Sequence, residues 1–278
     1  LATSRCFISL GEWSLHRALF GGQMKHLDVA KVIKQDFGIA ALEYSAQFFK
    51  DKVKDKSYLK ELRQHAADHG VIGVLITVDN EGILGDPDVK QRSQAVENHR
   101  KWIEAAQILG CESIRVNPYS DDKLPADEQA RLLVEGLTRL VDIGAKSKVN
   151  VIVENHGHLS SNGKWLADVV KEVNRPTCGT LPDFGNFHLA EGKEYDRYQG
   201  VAELMPFAKG VSAKSYDFDD QGDETTIDYR KMLKIVLDAG FHGYLGIEFE
   251  GPKLSEPDGI RATKKLLETI RGELAARS

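Results

Sequence analysis

The chain has few of the features that staple, anchor or charge a protein. Three cysteines occur in 278 residues, Cys6, Cys111 and Cys178, widely spaced and without a CxxC. An odd count gives no disulfide framework, and the apolar runs around Cys6 and Cys178 suit buried free thiols. No apolar run reaches the roughly 18 residues of a helical membrane span. Basic charge is not in excess: 37 Lys and Arg stand against 42 Asp and Glu, for a net charge of -5. That balance, with no long run of one sign, argues against a nucleic-acid groove. The segment after the first apolar run reads Leu10-Gly11-Glu12-Trp13-Ser14-Leu15-His16. It is not the GxGxxG turn of a doubly wound nucleotide fold. There is no low-complexity tract and no evident linker.

What is there is alternation. Short apolar runs that end in a polar residue fall at Cys6–Leu10, Ile39–Tyr44, Gly73–Val78, Ser113–Asn117, Asn150–Glu154, Gly179–Asp183, Gly210–Lys214 and Tyr244–Glu248. Continuous apolar runs suit strands buried on both faces of a parallel sheet. Helical spacing lies between them, over Tyr58–His69, Val89–Leu109, Pro125–Ala145, Tyr229–Ala239 and Gly259–Leu274. Glycines 70, 110 and 240 follow three of these stretches as stop signals. Eight such units in a chain of this length predict an α/β fold, a (β/α)8 TIM barrel forming one domain over residues 1–278. Helical His65, His69 and His99 are expected to be solvated.

In a barrel, a polar residue at a strand's end faces the catalytic mouth. The candidates are Glu43, Asn117, Glu154, Asp183, Lys214 and Glu248. Three of these are carboxylates behind buried runs, Val-Ile-Val-Glu154, Thr-Leu-Pro-Asp183 and Leu-Gly-Ile-Glu248. Left without partners they would be costly. A divalent metal ion would neutralise them, and hard oxygen ligands suit Mn2+ or Mg2+. The competing structural reading pairs Glu154 with an arginine such as Arg115. Glu250 is expected to point away from Glu248 if the strand continues, as a surface or supporting carboxylate. Trp13 and His16 are placed to wall a sugar pocket, and His156 to donate to a substrate. His158 and His188 read as loop histidines.

At these residues the chain resembles the xylose isomerase-like TIM barrel superfamily. This group takes in sugar-phosphate isomerases and epimerases, inosose dehydratases and endonuclease IV-type enzymes. The resemblance rests on Val151-Ile-Val-Glu-Asn-His-Gly157, Leu181-Pro-Asp-Phe-Gly-Asn186, Val211-Ser-Ala-Lys-Ser-Tyr216 and Tyr244-Leu-Gly-Ile-Glu-Phe-Glu-Gly251. It implies a metal held by Glu154, Asp183 and Glu248, with a histidine as the remaining ligand. Here that histidine is replaced by Ser212, while Lys214 remains. It further implies an isomerase or epimerase working by metal-assisted proton transfer next to the carbonyl of a ketose or sugar derivative. Glu154 and Glu248 match the acid and base, and Lys214 or the metal would stabilise the enediolate. Ser212, Glu43, Asn117 and His156 would contact the substrate.

The alternatives are a lyase or dehydratase on a keto-sugar or inosose, and a non-catalytic sugar-binding barrel. The endonuclease branch needs a histidine-rich three-metal site and a basic surface, which this sequence lacks. Gly251-Pro252-Lys253 is the nearest thing to a phosphate turn, so an unphosphorylated sugar is the expected partner. Neither nucleic acid nor membrane is expected, and a homo-oligomer is compatible with this reading. The expected compartment is the cytoplasm, with secretion or the periplasm the alternative where a leader precedes Leu1.

Overall fold

Apolar runs too short to be helices pair side by side and bury their backbones in a ring. A computed structural model of the chain describes residues 6–276. Eight parallel strands form its sheet: β1 (Cys6–Gly11), β2 (Ala41–Ser45), β3 (Ile72–Val78), β4 (Ser113–Val116), β5 (Asn150–Glu154), β6 (Cys178–Leu181), β7 (Val211–Ser215) and β8 (Gly243–Phe249). They are ordered β6-β5-β4-β3-β2-β1-β8-β7. The ring closes between β6 and β7 through parallel bridges, Thr180 to Ala208 and Asp183 to Ser212. This is a single-domain (β/α)8 TIM barrel, as the alternation predicts.

The helices are α1 (His16–Phe20), α2 (Val29–Phe37), α3 (Lys56–Asp68), α4 (Val89–Leu109), α5 (Ala126–Lys146), α6 (Gly163–Val173), α7 (Arg197–Leu204), α8 (Tyr229–Asp238) and α9 (Glu256–Ala275). Their ends follow local chemistry. Asp88 accepts from the Lys90 and Gln91 amides to start α4, and Gly110 in the left-handed conformation ends it. Asp55, Asn162 and Asp228 cap α3, α6 and α8 in the same way. Among the described residues no helix is long and apolar enough to cross a membrane. The three cysteines are buried and free.

Three expectations shift. The sixth strand ends at Leu181 instead of Asp183, because Pro182 has no N–H to continue the ladder. Helices α2, α6 and α7 carry apolar stripes that fall short of the longer periodic runs in the sequence. His99 is buried, 3% exposed, and not solvated. It lies on the stripe Ala95, Trp102 and Ala106 of α4, which packs between α3 and α5, and its Nδ1 is 2.7 Å from the Ala95 carbonyl.

Helix α5 packs so closely that only glycine fits at one point. A Cβ on Gly136 would lie 1.9 Å from the Leu84 carbonyl oxygen, a backbone atom. Gly272, in α9, has nothing within 4 Å of that position. Gly136→Ala should therefore destabilise the fold by about 1–3 kcal/mol through overpacking. Gly272→Ala should stabilise it by about 0.5–1 kcal/mol through helix propensity. Urea unfolding of the two variants beside the wild type checks the opposite signs.

Candidate active site

Because all eight strands run the same way, their C-terminal ends bring distant residues to one mouth. A cavity of about 290 Å³ opens there. Trp13, Glu43, Asn117, His156 and Glu248 line it, as the strand-end reading expects. So do Glu12, Asp79, Arg115, Tyr119 and Glu250, which were not singled out as site residues. Asp79 was findable, since it directly follows β3 and obeys the same strand-end rule. Glu12 was not, because nothing local marks its turn as a site.

Glu154, Asp183, Ser212 and Lys214 are not among the lining residues. They are buried beside Glu248, each at most 2% exposed. Register explains why they meet. Lys214 on β7 stands opposite Glu248 on β8, and Ser212 bridges to Asp183 across the seam. One oxygen from each of Glu154, Asp183 and Glu248 lies within 4.8 Å of the others.

Each carboxylate is held by a different set of donors. Asp183 Oδ1 accepts from the Gly185 and Asn186 amides at 2.7 and 2.8 Å, which leaves Oδ2 for the cluster. The Asn155 side chain fixes that turn, accepting from the Asp183 amide at 2.8 Å and donating to the Asp183 and Asn186 carbonyls. The Ser212 hydroxyl is 2.7 Å from Asp183 Oδ2 and 3.0 Å from Glu248 Oε2. Where the resemblance implies a histidine, the serine spends its hydroxyl on two carboxylates. Lys214 Nζ is 2.9 Å from Glu248, 3.2 Å from Glu250 and 3.9 Å from Asp183.

Glu154 is the exception. Arg115 Nε lies 2.9 Å from its Oε2, so the arginine pairing considered from sequence is present. The two atoms are not aligned, however, and both are buried without a hydrogen-bond partner. Arg115 makes its hydrogen bonds instead to Asp79 at 2.7 Å and Asn117 at 3.0 Å. A buried carboxylate oxygen lacking a donor, beside two others, is the donor chemistry of a hard cation. The triad could thus hold a metal.

Burial and charge push the two glutamates apart. Burial raises Glu154 well above the ordinary carboxylate range, and Arg115 only partly opposes it. Burial also acts on Glu248, but Lys214, Arg115 and Ser212 outweigh it and hold its carboxyl low. Asp183 rises to about 6, mainly through burial. His156 falls to about 4 through burial and Arg115, so it is neutral. Its Nδ1 and its carbonyl both lie 2.7 Å from the Tyr119 hydroxyl.

Two expectations at the rim change. Glu250 does not point away. Residues two apart on a strand share a face, so Glu250 follows Glu248 into the cavity, where it accepts from Trp13 Nε1 at 2.6 Å. His16 is not a lining residue but stacks behind Trp13, ring centres 4.9 Å apart. His158 and His188 are exposed and lie near Asp122 and Glu194, but neither is in a loop: His158 opens a 3-10 turn and His188 a short strand of an antiparallel hairpin outside the barrel sheet. Lys253, in the weak phosphate-turn candidate, is 3.1 Å from Asp217.

Comparison with known proteins agrees with this architecture. The chain is 23% identical over 268 residues to L-ribulose-5-phosphate 3-epimerase UlaE of Salmonella heidelberg, covering 87% of each chain. Its fold matches the crystal structure of the IolI protein with a bound zinc atom, with a TM-score of 0.76 at 19% identity over 96% of this chain and 98% of that one. It also matches 3-keto-D-glucoside 4-epimerase YcjR from E. coli, with a TM-score of 0.72 at 14% identity over 95% and 99%. Residues 33–270 match the family described as xylose isomerase-like TIM barrel, and the chain belongs to that family.

Proposed function

We propose that this chain is a sugar isomerase or epimerase that moves a proton next to the carbonyl of an unphosphorylated sugar. The observation that carries this reading is the meeting of Glu154, Asp183 and Glu248 within 4.8 Å of one another, with Glu248 reaching the cavity at the mouth of the barrel and the other two buried just behind it. Two carboxyl groups with opposite shifts are what acid–base chemistry needs. Glu248, held ionised, takes the proton from the carbon, and the electron pair passes to the carbonyl oxygen. Glu154, whose carboxyl burial raises, returns a proton to carbon. Lys214 supplies positive charge beside the developing enediolate. Neutral His156, Asn117 and Glu43 bind hydroxyl groups, and Trp13 offers a ring face to the sugar.

Glu154, Asp183 and Glu248 would hold a divalent ion, with Mg2+ or Mn2+ suiting the all-oxygen set, and a bound ion would supply Lewis-acid charge to the carbonyl oxygen. The preference against phosphate follows from charge. Arg115 is the one cation among the described residues that line the cavity, and Asp79 and Glu154 already pair with it. Glu12, Glu43, Asp79, Glu248 and Glu250 line the same cavity. At an effective dielectric constant near 20, each carboxylate about 5 Å from an anionic substrate would oppose it by roughly 3 kcal/mol per charge.

Solvent exchange tests the chemistry. In D2O the wild type should place deuterium on the carbon next to the carbonyl of at least one member of a panel of ketoses and keto-sugars. Glu154→Gln should lose roughly a hundred-fold or more of that rate while its circular dichroism and melting stay native. Full exchange in the variant would remove Glu154 from the mechanism.

Glu43 gives an independent check on the electrostatics. Its carboxyl is 5% exposed and accepts from the Ser9 hydroxyl at 2.6 Å. Burial pushes it up from 4.5 to about 7, with Ser9 opposing. The folded state therefore holds its proton more tightly than the unfolded chain. The resulting stability is fully present below about pH 4.5 and is lost as the pH rises through about 7. Between pH 4 and pH 8 the wild type should lose roughly 3 kcal/mol more than Glu43→Gln does. Urea titrations of both proteins at the two pH values measure the difference, and parallel curves would contradict the assignment.

A further inference from the structure

His99 was expected on a solvated helix face, yet it is buried and lines a second cavity. This space, about 270 Å³, is walled by Val78, Glu81, Gly82, Ile83 and His99. Asn80, Asn117 and Tyr119 complete it, and the same three residues line the main cavity. The two spaces thus share a wall at the mouth of the barrel and are nearly equal in size.

The chain is turned to make this room. Directly after β3, Asn80 and Gly82 both take left-handed backbone angles, φ 64° and 97°. Such a conformation costs a non-glycine residue about 1 kcal/mol or more. Most of the buried polar groups around the space are already engaged. The Glu81 carboxylate accepts from Trp102 Nε1 at 2.7 Å and from Lys101 Nζ at 2.9 Å. His99 Nδ1 is taken by the Ala95 carbonyl. Among the described residues no hydrogen bond reaches His99 Nε2, and burial holds this imidazole below its ordinary range, so it is neutral. Ile83 is 39% exposed. A lone exposed apolar side chain is ordinary, but this one stands at the wall of this cavity and of a third that Tyr119 also lines.

We propose that this second cavity is an annex of the active site that takes a neutral ring attached to the reacting sugar, so that the substrate is a glycoside instead of a free monosaccharide. The proposal rests on the sugar-binding reading of the main cavity. The ring packs between Ile83 and Tyr119, and a hydroxyl on it donates to His99 Nε2, which is left as an acceptor because Nδ1–H is given to the Ala95 carbonyl. The annex favours a neutral group because its one carboxylate is already pinned by a cation. Tyr119, anchored to His156 through its hydroxyl, stands between the two halves and would set their spacing.

Two histidines report the two spaces separately. In protein labelled with [13C]histidine, His156 reads the main cavity and His99 the annex, with His99→Phe serving to assign the second signal. Methyl and phenyl β-D-glucopyranosides and β-D-galactopyranosides are the probes. The methyl glycosides should move the His156 signal alone. A phenyl glycoside should move both and bind about ten-fold more tightly. Ile83→Trp, which fills the annex, should abolish the His99 shift and the ten-fold gain while leaving the His156 shift in place. If phenyl and methyl glycosides bind alike and leave His99 unmoved, the annex is wrong while the sugar cavity stands. If the gain and the His99 shift survive Ile83→Trp, the annex is wrong as well. If no glycoside moves either signal, the annex fails together with the sugar reading, which the solvent-exchange assay then tests by itself.

Discussion

The contact between Lys214 and Glu248 is the interaction around which the mouth of the barrel is organised. An ammonium that is 2% exposed would cost several kcal/mol to bury alone. It is tolerated because Glu248, Glu250 and Asp183 surround it at 2.9, 3.2 and 3.9 Å. Those carboxylates need the lysine just as much, since without it they would repel one another. Buried ion pairs seldom add net stability over a well-packed apolar substitute. A cluster of this kind is therefore better understood as charge put in place for chemistry than as a fastening of the fold.

The placement of that charge is inseparable from how the barrel closes. Seven pairs of strand neighbours are joined by ladders, one of them (β2 with β3) shifting register between Leu42 and Glu43, but β6 and β7 meet only at isolated bridges. Pro182 ends β6 early, and Asp183 then makes the last contact across the seam to Ser212. The irregular junction leaves backbone donors free to turn inward. The Gly185 and Asn186 amides use theirs on Asp183 Oδ1. Because one oxygen of Asp183 is saturated by backbone, its other oxygen is directed at the cluster. A regular ladder at this point would have consumed those amides and left the carboxylate less well aimed.

Much of this was readable from the sequence, for physical reasons. Val151-Ile-Val-Glu154 announces a buried strand with a charge at its end, and the rule of the C-terminal mouth does the rest. Helix α4 was legible to the residue because both ends carry strong signals, Asp88 and Gly110. What was misread here is a matter of spacing. Two residues beyond Glu248, Glu250 shares that residue's side of the strand and reaches the same cavity, so reading it as outward ran against the alternation. Helices α2, α6 and α7 were missed as well, and length is not the reason, since α6 has 11 residues and α8, which was read, has 10. His99 is a different kind of miss. Its spacing from Ala95, Trp102 and Ala106 marked the buried stripe, and reading histidine as polar overrode the geometry.

The same desolvation that raises Glu154, Asp183 and Glu43 also defines what the cavity accepts. A carboxyl kept protonated by burial repels little and donates a hydrogen bond, whereas an ionised one excludes anions. Arg115 sharpens this division, because it is buried and already bonded to Asp79 and Asn117, which leaves less of its charge for an incoming phosphate. On the proposed reading, a neutral polyol would lose less on entering such a space than an ion would, and its hydroxyls would meet Asn117, His156 and Glu43. As it displaced water, the local dielectric would fall and the pull of Lys214 on developing negative charge would strengthen. Selection for an uncharged substrate and readiness for proton transfer would then share one cause, the burial of these acidic groups at the end of the strands.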